Sequence, residues 1–192
     1  MSNTWFTSDL HLAHRMVAAL RGYDDLDDYH AHLVDTWNAH VRPSDTVWNL
    51  GDVTLGPVEQ VAEVLRSLNG TQHLVAGNHD RCSPMFRQAH SQQRRWLEHF
   101  ASVHAFARRR MHKTDVLLSH FPYRGEGSRD IPDRHTQYRL PNEGLPLVHG
   151  HTHDPEQRLT HDRGTPMLHV GWDAWQRPVS LHEVETLLVL LQ

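Results

Sequence analysis

Five short polar stretches in this 192-residue chain carry the residue types that hold divalent cations and move protons: Asp9-Leu10-His11, Gly51-Asp52, Gly77-Asn78-His79-Asp80, Ser119-His120 and Gly150-His151-Thr152-His153. A hard or borderline cation needs carboxylate and imidazole ligands from several segments, because one short segment cannot surround an ion. Gly77 frees the backbone, and the next three residues offer an amide oxygen, an imidazole and a carboxylate, which make a poor core and a good reaction centre. Asp9 and His11, two apart at a strand end, can point the same way. Singly, each stretch has a plainer reading. Gly-Asp and Asp-x-His occur in ordinary turns, and Asn and Asp cap helices. With nineteen histidines in the chain, about two His-x-His pairs arise by chance, and His30/His32 is such a pair.

Each stretch follows an apolar run. Residues 3 to 8 are rich in aromatic and β-branched types and read as a first strand ending at Asp9. Leu26, Tyr29, Leu33, Val34, Trp37 and Val41 recur at helical spacing until Arg42-Pro43-Ser44-Asp45 stops them. Thr46 to Leu50 reads as a buried strand before Gly51-Asp52, Pro57 to Leu68 as a helix, and Gln72 to Ala76 as the strand leading into Gly77. Helical pieces are expected within 81–100. Ser102 to Arg109 and Thr114 to Leu118 read as a strand pair, the second ending at Ser119-His120. Residues 121–146 form an excursion rich in Gly, Pro, Arg and Asp. Leu145 to His149 and Thr165 to Val170 are further strands, and Ser180-Leu181-His182-Glu183 is a capping-box pattern opening a helix through Leu191. This alternation favours a two-sheet core with helices outside.

Composition narrows the classes. One cysteine, Cys82, rules out an internal disulfide framework and a thiolate zinc site, and suits a reducing cytoplasm. No run of about 18 apolar residues and no basic leader is present, so a soluble, non-exported protein is expected. A net charge of −4 argues against wholesale binding of nucleic acid but leaves small anions and a nuclease open.

The order and placement of all five stretches decide between the readings. As a set they resemble the calcineurin-like metallophosphoesterase superfamily, whose pattern is Asp-x-His, Gly-Asp, Gly-Asn-His-Asp/Glu, a lone His and Gly-His-x-His; the match spans residues 9 to 153. The opening from Ser8 to His14 and the Val170-Gly171-Trp172-Asp173 segment look most like the short single-domain members of bacteria and phages. The resemblance implies one α/β domain over residues 1–192, a four-layer α/β/β/α sandwich with metals at the C-terminal ends of the central strands. It implies Asp9, His11, Asp52 and His153 on one ion, and Asp52, Asn78, His120 and His151 on a second, with Asp52 bridging. His79 matches the catalytic histidine, and Asp80 is expected to orient its ring. Two such ions activate a bridging hydroxide for in-line attack on phosphorus. Mn²⁺ is the favoured metal, and Fe, Ni²⁺ or Zn²⁺ fit the same donors.

One departure is Val53-Thr54-Leu55-Gly56, which lacks the Arg that many family members carry after the Gly-Asp motif. A phosphate clamp is therefore sought in the excursion, at Arg124, Arg129, Arg134, His135 or Arg139. His14 and His149 are further substrate-site candidates, His149 because it alternates with His151 and His153. Trp172 or Trp175 is a candidate for lining a base pocket. The expected activity is hydrolysis of small nucleotide phosphodiesters, cyclic ones included. A phosphomonoesterase is the alternative, followed by a nuclease and a non-catalytic metal-binding scaffold.

Overall fold

The structure, a computed structural model, describes residues 2–126, 131–156 and 158–190; Arg129 and the expected helix end at Leu191 lie outside the described residues. Two five-stranded sheets form the centre. In the first, β1 (Thr4–Thr7), β2 (Thr46–Asn49), β3 (Thr71–Val75) and β4 (Ser102–His104) run parallel, and β10 (Val179–Ser180) pairs antiparallel with β1. In the second, β6 (Thr114–Leu118), β7 (Leu147–His149) and β9 (Thr165–His169) are parallel, flanked by the antiparallel β5 (Ala107–Met111) and β8 (Leu159–Asp162). This is the α/β sandwich expected.

Period-two alternation sorts the strand residues between layers. Phe6, Trp48 and Val75 face inward and meet Val116, Leu118, Val148 and Leu168 of the second sheet. Their neighbours Trp5, Val47 and Leu74 face outward, against α2 (Leu26–His40) and α3 (Ala62–Ser67). α2 starts at Asp25, whose carboxylate accepts from Asp27 N at 2.8 Å, and buries Tyr29, Leu33 and Trp37 at four-residue intervals. Full burial of each such side chain contributes about 1.5–3 kcal/mol. On the far side of the second sheet, Tyr123 and Leu140 of the excursion pack on Leu117, Leu147 and Met167.

The strand expected over Ser102–Arg109 is two strands. β4 ends the first sheet beside β3, and β5 begins the second. A chain that stays extended while changing sheets keeps one alternation pattern, so its residues do not mark the crossing. β8 and β10 were not anticipated, the former being a polar edge strand and the latter only two residues long. Helix within 81–100 is confined to α4 (Ala89–Trp96), and two short helices, α1 (Arg15–Leu20) and α5 (Trp172–Trp175), are too brief to show a period. The Ser180–Glu183 capping box is formed and opens α6 (Leu181–Glu185), which continues as a π-helical turn over Thr186–Leu190. Among the described residues no helix is long and apolar enough to cross a membrane.

Candidate metal centre

The turns after β1, β2, β3, β6 and β7 meet at one edge of the sandwich, where the C-terminal ends of parallel strands leave backbone groups open for function. They are stitched to one another. Asp9 N donates to Gly51 O and His11 N to Asp52 O, both at 2.9 Å. His79 N donates to Asp52 Oδ1 at 2.9 Å, and His151 N reaches both Asp9 oxygens at 3.0–3.1 Å. The turns are sharp. Asp9, His11, Asp52, His151 and His153 all hold left-handed backbone, with φ between 49 and 72°. Asp and His tolerate that region better than branched residues do. Gly77 is required by proximity: a Cβ there would stand 2.2 Å from Asp52 Oδ1 and 2.9 Å from His120 Cε1.

Two donor clusters result. Asp9, His11, Asp52 and His153 place one ligand atom each within 4.8 Å of one another, as do Asp52, His120 and His151, so Asp52 belongs to both. Asn78 adjoins the second, with Oδ1 3.0 Å from His120 Nε2. Imidazole tautomers test whether an ion fits. A nitrogen facing a carbonyl or carboxylate must carry the proton, which applies to His120 Nδ1 on Leu50 O (2.7 Å), His153 Nδ1 on Asp173 Oδ2 (2.7 Å) and His151 Nε2 on Glu126 Oε2 (2.9 Å). Each ring then turns its other nitrogen toward the clusters: on His151 that nitrogen is a lone pair, whereas His120, held charged beside Asp52, has a proton there that an ion would displace. His153 Nε2 faces His11 Nε2 at 3.0 Å and Asp9 Oδ1 at 3.7 Å; His120 Nε2 faces Asp52 Oδ2 at 3.5 Å as well as Asn78. Acceptors converging in this way need a cation or a proton between them. Donors about 2.1 Å from a shared ion stand about 3.0–3.4 Å apart at right and tetrahedral angles; the two 3.0 Å approaches fall in that range and the 3.5 and 3.7 Å ones lie just outside it.

Charge agrees. Burial pushes His11 down to about 3 and His151 to about 4, which keeps both neutral, as ligands must be. Against the pull of burial, the Asp52 carboxylate holds His120 up at about 9, so a metal there would displace a proton. Asp9 stays well below the usual carboxylate range: burial opposes this, but His169 and then His153 outweigh it.

His79 lies in the same cleft, its side chain 36% exposed and Nε2 3.8 Å from Asp52 Oδ2. Asp80 does not act as expected. It is fully buried, and its carboxylate accepts from the backbone N–H of Asp52 (2.9 Å), Val53 (2.9 Å) and Gly77 (2.8 Å). Its oxygens are therefore used in tying the β2 turn to the β3 turn rather than in orienting the His79 ring. Asp80→Asn places an amide donor against one of those donors whichever way it turns. We expect it to lower stability by about 1–3 kcal/mol at unchanged denaturant slope, read from urea unfolding; an unchanged midpoint would deny the tie any role.

The substrate-site candidates separate. Arg134 and His135 line the cleft together with His79 and His151. Arg124 does not: it is 75% exposed, faces Asp133 at 3.9 Å and borders a different concavity. His149 is buried, with Nδ1 bonded to Gly150 O, and lies 5.5 Å from His169, centroid to centroid. Strand β7 ends at His149, so the alternation that would have aligned it with His151 and His153 stops there. His14 caps α1 through Nδ1 and meets the His11 ring edge-on at 5.7 Å, beside the first cluster. Trp172 lines a concavity that shares His153 with the cleft, whereas Trp175 lies between Arg158 and Arg177.

Four supporting residues have no place among the site residues expected from the sequence. Asp173 holds His153 and is itself held by two bonds from Arg21, each 2.7 Å. Glu126 holds His151, and His169 approaches Asp9 Oδ2 at 3.9 Å. None has a local motif; only the Asp173 segment carried any signal.

Comparison with known proteins agrees with this geometry. The model of the calcineurin-like phosphoesterase superfamily domain matches residues 5–181. The Gene 66 protein of Mycobacterium phage L5 is 42% identical, over 98% of this chain and 95% of that protein. Its counterpart in Mycobacterium phage D29 is 40% identical, over 98% and 96%. Among solved structures, the protein of unknown function AQ665 from Aquifex aeolicus has a similar fold, with a TM-score of 0.69 at 23% identity over 98% of this chain and 100% of that one. On the family match and the whole-length phage relatives, the chain belongs to the calcineurin-like phosphoesterase superfamily.

Proposed function

We propose that the protein is a dinuclear metal-dependent phosphodiesterase for small nucleotide substrates, working as one domain in the cytoplasm with Mn²⁺ as its readiest metal. The observation that carries this reading is the pair of donor clusters joined at Asp52. When bound, two divalent ions draw charge from the phosphoryl oxygens and make water a better nucleophile near neutral pH. The protein's own residues do the rest. Asp9, His11 and His153 hold one side, and Asn78, His120 and His151 the other. His79, in the open part of the cleft, holds a proton for the leaving oxygen or stabilises its charge.

The cleft has a volume of about 370 Å³, enough for a phosphate with part of a nucleoside. The neighbouring concavity, about 360 Å³, offers Tyr23, Trp172 and Gln176 to a flat, hydrogen-bonding group. Groups on both sides of the phosphate favour a diester over a monoester. The test is hydrolysis of an aryl phosphodiester beside the matching monoester, by metal-stripped protein refilled with Mn²⁺. Metal-dependent diester cleavage is expected. Monoester preference would make the protein a phosphomonoesterase, and no turnover with either ester, despite bound metal, would favour a non-catalytic role.

A further inference from the structure

Glu126 is a carboxylate with a side chain only 1% exposed, set in an excursion whose Arg124 and Arg134 reach solvent. A buried charge of this kind persists only if paired and hydrogen-bonded. Glu126 is surrounded by donors. Arg134 reaches it with its backbone N (2.9 Å), Nε (3.2 Å) and Nη2 (3.1 Å). Arg139 bonds it through Nη2 and also donates to Gly125 O at 3.1 Å and Arg134 O at 3.0 Å. On its other side stands His151 Nε2, at 2.9 Å.

These contacts join two parts of the cleft that belong to different segments. A carboxylate accepts and does not donate, so His151 carries its proton on Nε2 and has its Nδ1 lone pair available to the Asp52/His120 cluster. Asp173 does the same for His153 from the opposite nitrogen. The arginines do not share one role. Arg139 is 4% exposed and spent within the excursion, whereas Arg134 is 63% exposed and lines the cleft. Arg139 also faces Asp133 at 3.8 Å, so its charge is met within the excursion, and the cation left at the solvent face is Arg134.

We propose that Glu126 is a positioning residue linking the excursion to the second metal position: it sets the His151 ring, and it holds Arg134 at the cleft as the cation that grips a phosphate oxygen. The part assigned to Arg134 rests on the phosphoesterase reading; the part assigned to His151 does not. Such a clamp would supply, from the excursion, the positive charge that the segment after Asp52 lacks.

The experiment has two readouts, neither of them turnover. Calorimetric titration of Mn²⁺ into metal-stripped protein is expected to show one of two binding events weakened about 10–100-fold in Glu126→Gln, and neither changed in Arg134→Ala. Inorganic phosphate binding to the Mn²⁺-loaded protein is expected to weaken about tenfold in both variants, and no further when they are combined, because they act on one contact. Unchanged Mn²⁺ binding in Glu126→Gln overturns the role on His151. Phosphate losses that add in the double variant, or none in Arg134→Ala, overturn the role on Arg134. Should Glu126→Gln fail to fold, Glu126→Asp, which keeps the charge and withdraws it by one methylene, is expected to show the same selective loss. Absence of ester cleavage would count against the phosphoesterase reading and leave the Mn²⁺ result standing.

Discussion

His79→Ala is expected to retain metal and to lose about 10²–10⁴-fold in kcat. The ring is outside both donor clusters, and the bond from residue 79 to Asp52 is made by the backbone N–H, which alanine keeps. The His11 ring, met edge-on at 5.5 Å, remains held by the β1 turn. Removing the imidazole thus takes away a proton at the leaving oxygen and little else, so KM should change far less than kcat. Metal analysis after gel filtration, set beside steady-state rates, checks both halves. A variant that loses metal along with its rate would show the ring to be a ligand.

Asp52→Ala is expected to lose both metals and to fall to background rate, a larger effect than that of His79→Ala. Asp52 Oδ2 stands 3.5 Å from His120 Nε2 and 3.8 Å from His11 Nε2, so a single carboxylate faces donors of both clusters. Its Oδ1 also accepts from His79 N. Without it, His120 loses the charge that does most to hold its pKa up, and the two clusters lose the one donor they share. Mn²⁺ titration of the metal-stripped variant should give no event near wild-type affinity. One surviving tight event would mean that Asp52 serves a single ion rather than two.

The residues that meet at the site could be read from the sequence because each follows a strand, and parallel strands deliver their ends to one edge. The spacing of Asp9 and His11, or of His151 and His153, survives folding as spacing. What could not be read is what holds the imidazoles from behind. Glu126 meets His151 across 25 residues and Asp173 meets His153 across 20, distances over which no local pattern operates. Asp80 looked like a partner for its neighbour His79, but adjacent side chains in a tight turn diverge, and backbone donors took its carboxylate. His149 departs from expectation for a related reason: the alternation that would align it with His151 ends with the strand. In the fold, α2 and β1 to β3 were legible from periodicity, whereas β4 and β5 were fused because a sheet crossing leaves the alternation intact.

Each donor cluster draws on both sheets, and the Asp9–His151 and His11–His153 approaches are 142 residues apart in the chain. An ion held there is a clip closing most of the polypeptide into a loop, a constraint that the unfolded chain does not share. A ligand bound only by the native state stabilises it by about 2.7 kcal/mol at a hundred times its dissociation constant. With an ion bound at these donors, folding stability would be tied to metal supply through the same atoms that would serve catalysis. The lifetime of the chain would then follow free metal whether or not a substrate is present.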